Sequence, residues 1–464
     1  MKKNVFFIRF VVLYVSCLLL VGLPSRMQAQ IKPVLNVPSP EVANLGQYKM
    51  VPVDYFTGIP NVSVPLYTVR VGNYSLPLSV SYHLSSVKPN TTPGCLGLGW
   101  SLIAGGYISR SVRCICDEKM GKDGIAHGFY DHSEKIKNMT EAEFVDHTLN
   151  HAEGKDYYEL SADEFTFNFC GYSGSFYYNE DKGWTVISDQ DIQVEFDSNS
   201  GFADFAEVAQ RIGSSRWNNS SQNNRYFIKF TIITPDGCRY EFGGINATEF
   251  CIPYYSRSNH DLVATSWMLT KITTLEGRTI QFDYSAHTVM ANIKYVPQYS
   301  LTYDFPVAKK HAYQIGRKGF TGFLLFGVNL SSISTVNETI SFDYERDEHY
   351  GQYFNVRTPL LCWKDDVGDG SNIPNRLEPF VGLRTDLYAQ ATQLLNVSGF
   401  NDAVSDQERS VAVGNALVCN YLHRMTIKGK GSGDRMSIYF GYVQNKNRKL
   451  SLITFREGVP ELKY

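Results

Sequence analysis

The chain has 464 residues and an almost balanced charge, with 44 Lys and Arg against 46 Asp and Glu. Only 19% of the residues are charged, so the sequence shows no electrostatic footprint for nucleic acid or for an anionic membrane surface. Aromatic residues make up 14% of the chain, mainly 30 tyrosines and 28 phenylalanines. This composition favours β structure, because aromatic side chains pack well on a pleated surface.

The first 29 residues predict a signal peptide. Lys2, Lys3 and Arg9 form a basic start, an apolar stretch runs from Val11 to Leu23, and cleavage is expected before Gln30. The apolar stretch is short for a membrane span. We therefore expect export across the inner membrane, with no transmembrane helix after signal cleavage.

A glycine-rich segment at residues 94–110 follows a strand-like stretch, 76–82, that alternates apolar and polar residues. Glycine allows backbone angles and close approaches that other residues resist. A large aromatic residue among glycines predicts a buried ring lying flat on bare backbone. We interpret six residues of this segment as structural: Gly97, Gly99, Trp100, Gly105, Gly106 and Arg110.

Three blocks around this segment carry a family resemblance: PVDYFTGIPNVSVPLYTV, YSLPLSVSYHLSS and GLGWSLIAGGYISRSVR. Together they resemble the N-terminal region of bacterial RHS/YD-repeat surface proteins, including the SpvB-type head of insecticidal toxin-complex B subunits. Residues 163–178, 233–243 and 264–284 add to the resemblance. It implies a place at the cell surface, in the Gram-negative envelope, or in the medium. It also implies contact with a cell-envelope or cell-surface component. No Tyr-Asp repeat array follows in this sequence, so the family's closed shell and cargo are not carried over.

Helices are expected only at the periphery. Thr140 and Glu143 form a capping box that predicts a helix over 141–150, and a second helix is predicted over 202–212. A third patch, 384–395, lies in a predicted insertion spanning about 365–415. Residues 117–135 are polar and loop-like.

The second half of the chain contains a repeat. A Leu-x-x-Ile or Leu-x-x-Met stretch precedes an alternating strand three times, at 269–284, 330–344 and 422–442, and a fourth copy opens at 450–453 but is incomplete. A hairpin cannot bury its face alone, so the copies must stack or add edge to edge. The sequence thus predicts an all-β fold of repeated antiparallel hairpins, in large curved sheets of RHS-like or β-sandwich-like form. We divide the chain into 1–29, 30–116, 117–260 and 261–464.

Eight cysteines remain after signal cleavage, and an exported protein can form disulfides. Buried free thiols are the simpler expectation in a chain with a large core. The pairing to test is Cys95 with Cys114 or Cys116.

The sequence contains no recognisable catalytic or ligand-binding motif, and we expect no catalytic, cofactor or metal site. His147 and His151 are four apart on the predicted helix, but Thr148 stands where a metalloprotease motif needs Glu. Asp163 and Glu164 are adjacent and would point apart on a strand, which is unsuitable for a paired-carboxylate site. Aromatic residues near polar loops could stack on sugars: Tyr177, Tyr178, Trp217, Tyr254 and Tyr255.

The function we predict is an exported, non-enzymatic structural or interaction module. One alternative is a glycan-binding adhesin module. The other is an enzyme acting on polysaccharide, which would need a cleft with two carboxylates from separated strands.

Overall fold

The structure is a computed structural model that describes residues 62–84, 93–113, 115–121, 123–150, 157–179, 181, 183–212, 223–255, 262–302, 312–347, 362–363, 377–378, 419–431, 434–443 and 449–457. The predicted signal peptide, the helical patch at 384–395 and most of the predicted insertion lie outside this part of the chain. The domain boundaries drawn from the sequence stay a prediction.

Antiparallel strands dominate the described residues, as the sequence predicted. The strands are β1 (Val62–Val71), β2 (Tyr74–Tyr82), β3 (Trp100–Ile103), β4 (Gly106–Ser111), β5 (Glu164–Phe169), β6 (Tyr172–Asn179), β7 (Gly183–Ile187), β8 (Gln193–Glu195), β9 (Phe202–Asp204), β10 (Arg225–Phe227), β11 (Lys229–Ile233), β12 (Arg239–Gly243), β13 (Thr248–Tyr255), β14 (Val263–Thr273), β15 (Thr279–Thr302), β16 (Ala312–Ser334), β17 (Glu338–Arg346), β18 (Cys362–Trp363), β19 (Leu377–Glu378), β20 (Asn420–Gly429), β21 (Asp434–Val443) and β22 (Lys449–Glu457). Fifteen of them form one sheet, β1, β2 and β3 form another, and β9–β10 and β18–β19 are separate pairs. The all-β prediction is confirmed.

The large sheet forks at β14. Strand β14 pairs with β13 and β4 in its first half and with β12 and β15 in its second half, and the sheet continues as β4–β5–β6–β7 and as β12–β11–β8. We call these the first layer and the second layer. Aromatic rings fill the space between them: Phe165 lies 5.4 Å from Phe230, Phe169 lies 5.0 Å from Phe242, and Trp184 lies 5.3 Å from Phe230, between ring centroids. Because aromatic residues alternate along β5, every second side chain enters this core.

The three predicted repeat hairpins form as β14–β15, β16–β17 and β20–β21, and they add edge to edge. Equivalent buried pairs close each hairpin: Ile272 faces Ile280, Ile333 faces Ile340 and Met425 faces Ile438. Strands β15 and β16 pair to each other, as do β17 and β20, so the copies form one continuous ribbon. The fourth copy contributes β22, which pairs with β21.

A further copy precedes these three, and the sequence analysis did not count it. Hairpin β11–β12 has the same turn as β14–β15, because Thr234 and Thr274 each accept a backbone bond from the glycine three residues later, Gly237 and Gly277. Both glycines have positive φ, which the turn requires. Strand β12 then pairs with β14, so this copy begins the ribbon.

Three helices lie outside the sheets in the described part of the chain: α1 (Phe129–Lys137), α2 (Glu141–Asn150) and α3 (Phe205–Ile212). The capping box at α2 is confirmed, since the Glu143 carboxylate accepts the Thr140 backbone N–H at 2.8 Å and the Thr140 hydroxyl accepts the Glu143 N–H at 3.3 Å. Helix α3 begins at Phe205, three residues later than predicted, because Asp204 and Glu207 form the actual capping box. None of these helices is both long and apolar enough to cross a membrane.

Helix α1 corrects the prediction that residues 117–135 form a loop. Its Tyr130 ring packs against Tyr178, Phe202 and Phe227, at 4.5, 5.8 and 5.5 Å between centroids. Contact with residues distant in sequence stabilises this helix, and a local pattern does not reveal such contact.

Candidate functional site: the glycine-rich segment and a buried arginine cluster

The glycine-rich segment connects the N-terminal sheet, which consists of β1, β2 and β3, to the third repeat hairpin, β20–β21. A tight turn joins Gly94 and Gly97, with the Gly97 N–H donating to the Gly94 carbonyl at 2.9 Å. Both Gly97 and Gly99 have positive φ, at 85° and 82°. Within the turn, the Cys95 carbonyl accepts the Leu422 N–H at 2.8 Å. The segment therefore joins β20 by a backbone hydrogen bond across more than three hundred residues of sequence.

Trp100 is half-buried, which corrects the expectation of a deeply buried ring at this position. Its ring lies 5.2 Å from that of Tyr82 on the neighbouring strand β2. The expected geometry occurs instead at Trp267, whose side chain is fully buried and donates its Nε1–H to the Phe227 carbonyl at 2.9 Å. A Cβ at Gly243 would lie 2.7 Å from the Trp267 ring, so this ring packs on bare glycine backbone.

Gly105 and Gly106 bring β4 and β5 close together. Gly106 has a φ of 149°, and a Cβ there would lie 2.3 Å from the carbonyl oxygen of Asn168 on β5. The Gly105 carbonyl accepts the Cys170 N–H at 3.1 Å. These contacts fix the start of β4, and four residues further along the same strand Arg110 points into the interior.

Arg110 is the centre of a buried charge cluster that we call the arginine cluster: Arg110, Asp117, Glu118 and Asp163. Its guanidinium donates to Asp163 Oδ2 from Nε at 2.8 Å and from Nη2 at 2.5 Å. It donates to both Glu118 oxygens, from Nη1 at 2.9 Å and from Nη2 at 2.6 Å. The side chains of all three residues have no exposed surface. Arg110 therefore joins β4, the loop after it and the residue before β5 by bidentate, charge-assisted bonds.

Backbone groups complete the hydrogen bonding of Asp163 and Glu118. Asp163 Oδ1 accepts the Arg113 N–H at 2.7 Å, and its Oδ2 accepts the Asp117 N–H at 3.0 Å. Glu118 Oε1 accepts the Phe227 N–H from β10 at 3.3 Å. The Arg110 guanidinium lies 5.2 Å from the Phe165 ring and 5.7 Å from the Phe227 ring, measured to the centroids. The aromatic core thus closes over the charges and excludes water.

The cluster holds one cation and three carboxyl groups, so it would carry a net charge of −2 if every group were ionised. Burial raises the pKa of Asp117 well above its usual range, and the neighbouring Asp163 carboxylate raises it further. Burial also raises the pKa of Asp163, although Arg110 opposes that shift. Burial opposes the charge on Arg110, yet Glu118 and Asp163 outweigh it and raise the pKa of Arg110. Of the three carboxyl groups, burial and the neighbouring carboxylates therefore favour the protonated form most at Asp117, whose Oδ2 has no hydrogen-bond partner within the described chain.

This arrangement suits a clamp rather than a reaction centre. Arg110, Glu118 and Asp163 hydrogen-bond to one another and to backbone groups, and substrate has no access to these three side chains because they have no exposed surface. Removal of one partner from such a buried pair is strongly destabilising, because it leaves the remaining charge buried without a counter-ion. Arg110 was predicted from the sequence as a structural residue, whereas Asp117 and Glu118 were not. The available signal was an arginine on the same alternating face as Ile108, which requires buried counter-ions if that face is interior.

Among the described residues, the other candidates from the sequence do not assemble into a site. Cys95 has a free thiol, Cys116 lies near the Asn223 amide at 3.5 Å, and Cys114 lies outside the described residues. The His147 ring nitrogen Nε2 lies 3.0 Å from the Tyr158 carbonyl oxygen, and His151 is outside the described residues. Among the residues that the structure describes, no group of His, Cys, Asp and Glu side chains is arranged to hold a metal ion.

The structure describes the side chains of only some of the loop aromatics that could stack on sugars. Tyr178 packs against Tyr130 at 4.5 Å and against Trp184 at 5.3 Å, so its ring belongs to the aromatic core. Tyr254 and Tyr255 are described in the backbone of β13 only, and Trp217 lies outside the described residues.

A polar groove of about 280 Å³ lies on the outer face of the second layer. It is lined by Glu195, Asp197, Ser200, Gly201, Lys229, Thr231, Arg239 and Glu241. Lys229 pairs with Glu241 at 2.9 Å, and Arg239 pairs with Glu195. Burial would raise the pKa of Glu241, but Lys229 and Lys271 outweigh it and lower the pKa. The Asn199 N–H and the Ser200 hydroxyl lower the pKa of Asp197. These two carboxyl groups are held ionised, which does not suit the general acid of a glycosidase.

No family model and no curated protein matches the chain. Among solved structures, the chain is similar to the crystal structure of TcdB2-TccC3, with 9% identity and a TM-score of 0.33, over 86% of this chain and 15% of that chain. It is similar to the crystal structure of TcdB2-TccC3-TEV, with 10% identity and a TM-score of 0.32, over 84% of this chain and 14% of that one. It is also similar to the Photorhabdus luminescens Tc holotoxin pore, with 9% identity and a TM-score of 0.32, over 86% and 15%. The chain thus spans about 15% of the length of the first of these chains.

Proposed function

We propose that the chain is an exported, non-enzymatic structural and interaction module of the RHS/YD-repeat surface type. The observation that carries this proposal is the ribbon of repeat hairpins, in which successive copies of one motif pair edge to edge within a single sheet. Repetition of one hairpin builds an extended scaffold, whereas a catalytic site needs unlike residues converging on one cleft.

The glycine-rich segment and the arginine cluster support the same role. The first holds the N-terminal sheet to β20, and the second holds β4 and β5 to the loop between them. Both join segments that are distant in sequence. A module whose named residues stabilise contacts of this kind is suited to presenting a rigid surface to a partner in the envelope or on a cell.

Export rests on the sequence of residues 1–29. A basic start, an apolar stretch and Met27-Gln28-Ala29 directly before Gln30 are features of a cleavable secretion signal. The module would then lie at the cell surface, on the outer membrane, or in the medium.

Fractionation of cells that produce the full chain tests this proposal. We expect the chain in the envelope or medium fraction, with an N-terminus near Gln30. The variant Leu19→Arg places a charge in the apolar stretch and should leave the chain in the cytoplasm with its first residues intact. The control Asn4→Arg adds the same charge to the basic start and should be exported normally. Cytoplasmic location of both the wild-type chain and the control would refute export.

A hydrolytic assay distinguishes the module from the polysaccharide-acting enzyme. Purified chain incubated with a panel of polysaccharides should release no reducing ends above the background without protein. Release that is abolished by Glu195→Gln or Glu241→Gln would overturn the non-enzymatic role and place the reaction in the groove.

A further inference from the structure

Two hairpin turns, one from each layer, carry a cysteine and lie side by side. Cys170 and Gly171 form the turn between β5 and β6, and Cys238 ends the turn between β11 and β12. Within the described residues, Cys170 is the one non-glycine residue with positive φ, at 47°. Asn, Asp or Gly normally occupies such a turn position, since side chains of other residues are strained there. The local backbone therefore gives no reason for a cysteine at this position.

Tyrosine contacts place the two turns together. Tyr172 and Tyr240 each follow one of the cysteines by two residues, and their rings lie 6.3 Å apart between centroids. The hydroxyls of Tyr74 and Tyr240 lie 3.2 Å apart; burial raises the pKa of Tyr74, and the Cys170 thiol is close enough to add to that rise. Burial also raises the pKa of Tyr172, and the neighbouring Thr234, which is in the same turn as Cys238, opposes that rise. The two thiols therefore share one small tyrosine-lined space between the layers.

Both thiols are protonated at neutral pH. Burial raises the pKa of Cys170 to about 11, and the nearby Cys238 adds to that shift. Burial and the adjacent Asp236 raise the pKa of Cys238. Thiolate is the attacking species in disulfide exchange, so the raised pKa values make both cysteines slow to react. Two thiols form a disulfide only when an oxidant accepts two electrons, so the pair needs a disulfide reagent.

We propose that Cys170 and Cys238 are an oxidisable pair that forms a disulfide between the β5–β6 turn and the β11–β12 turn. The oxidant is a small or protein disulfide. Deprotonated Cys170 attacks one sulfur of this disulfide and releases its first thiol. Cys238 then loses its proton, attacks the mixed disulfide at Cys170 and releases the second thiol. The protein loses two protons and two electrons in total, and the reagent takes them up to become two thiols. The bond covalently links the first layer to the second.

The proposal rests on the proposed function only for the place where the oxidant is met, because exported compartments are oxidising. The chemistry can be tested with purified full-length chain. The chain is incubated with oxidised glutathione, remaining thiols are blocked with an alkylating reagent, and the protease digest is examined by mass spectrometry. We expect one peptide pair joined through Cys170 and Cys238, which dithiothreitol separates.

Cys170→Ser and Cys238→Ser should each abolish the joined pair, while Cys251→Ser, a substitution of a buried cysteine on β13, should retain it. Circular dichroism spectra that match the wild type would show that the variants fold. Recovery of Cys170 and Cys238 as separate alkylated or glutathionylated peptides would overturn the proposal, as would a joined peptide that pairs either one with another cysteine. Failure of export with a joined pair in vitro would refute only the proposed function, and export without the pair would refute only this inference.

Discussion

Replacement of Arg110 tests the clamp most sharply. The substitution Arg110→Met keeps an apolar stem of similar length but removes four charge-assisted hydrogen bonds to Glu118 and Asp163. It leaves three carboxyl groups buried without a cation. Removal of one partner from a buried ion pair costs about 3–5 kcal/mol, and we expect a loss of that size in the free energy of unfolding.

The control is Arg113→Met, three residues along the chain. Arg113 faces solvent, with 59% of its side chain exposed, and lies 3.8 Å from Glu164. An exposed pair of this kind contributes about 0–1 kcal/mol, so the control should unfold close to the wild type. Urea denaturation followed by circular dichroism measures both variants.

A second variant distinguishes two causes of the lost stability, an unpaired buried charge and lost packing. In the double variant Arg110→Met, Glu118→Gln, one of the stranded carboxyl groups is replaced by a neutral amide that can still accept the Phe227 N–H. It should therefore be more stable than Arg110→Met alone. Equal urea midpoints for Arg110→Met and Arg113→Met, or no recovery in the double variant, would refute the reasoning.

Three further predictions follow from burial, space and proton binding. Trp267→Ala should lower the free energy of unfolding by about 3–5 kcal/mol, and Trp100→Ala by less because its ring is half-buried; equal losses in urea unfolding would contradict this. Gly106→Ala should cost at least ~1–3 kcal/mol, since the new Cβ meets backbone at 2.3 Å, while Gly94→Ala has nothing within 4 Å and should stay within ~0.5 kcal/mol by the same assay. The pKa of Asp117 is raised in the folded state. Its contribution to stability is therefore complete below its unfolded pKa and is lost as pH rises through its folded pKa. The variant Asp117→Asn should reduce the fall in urea midpoint with rising pH, and an unchanged pH profile would count against a proton on this residue.

The repeat hairpins could be predicted from the sequence because their determinants are local. Alternation with period two sets which side chains face the core, and the turn glycines Gly237 and Gly277 fix the hairpin ends. The capping box at Thr140 is equally local and was predicted correctly. The copy at β11–β12 was not predicted, although its turn has the same spacing, because Pro235 and Cys238 make the sequence of this turn differ from that of the later copies.

Contacts between distant segments could not be predicted in the same way. Arg110 and Asp163 are 53 residues apart, and they meet only because β4 pairs with β5 in one register. Trp100 and Trp267 both stand in apolar strand patterns, and which one is buried depends on what the sheet packs against. Helix α1 likewise depends on the rings around Tyr130. These features follow from tertiary packing, which a single sequence does not encode locally.

The most direct test of the proposed role is lysine labelling of intact cells with a membrane-impermeant reagent, applied to the culture before and after lysis. A surface or secreted module should be labelled to the same extent before lysis as after it, on cells or in the medium. A chain that becomes labelled only after the cells are lysed would contradict the account.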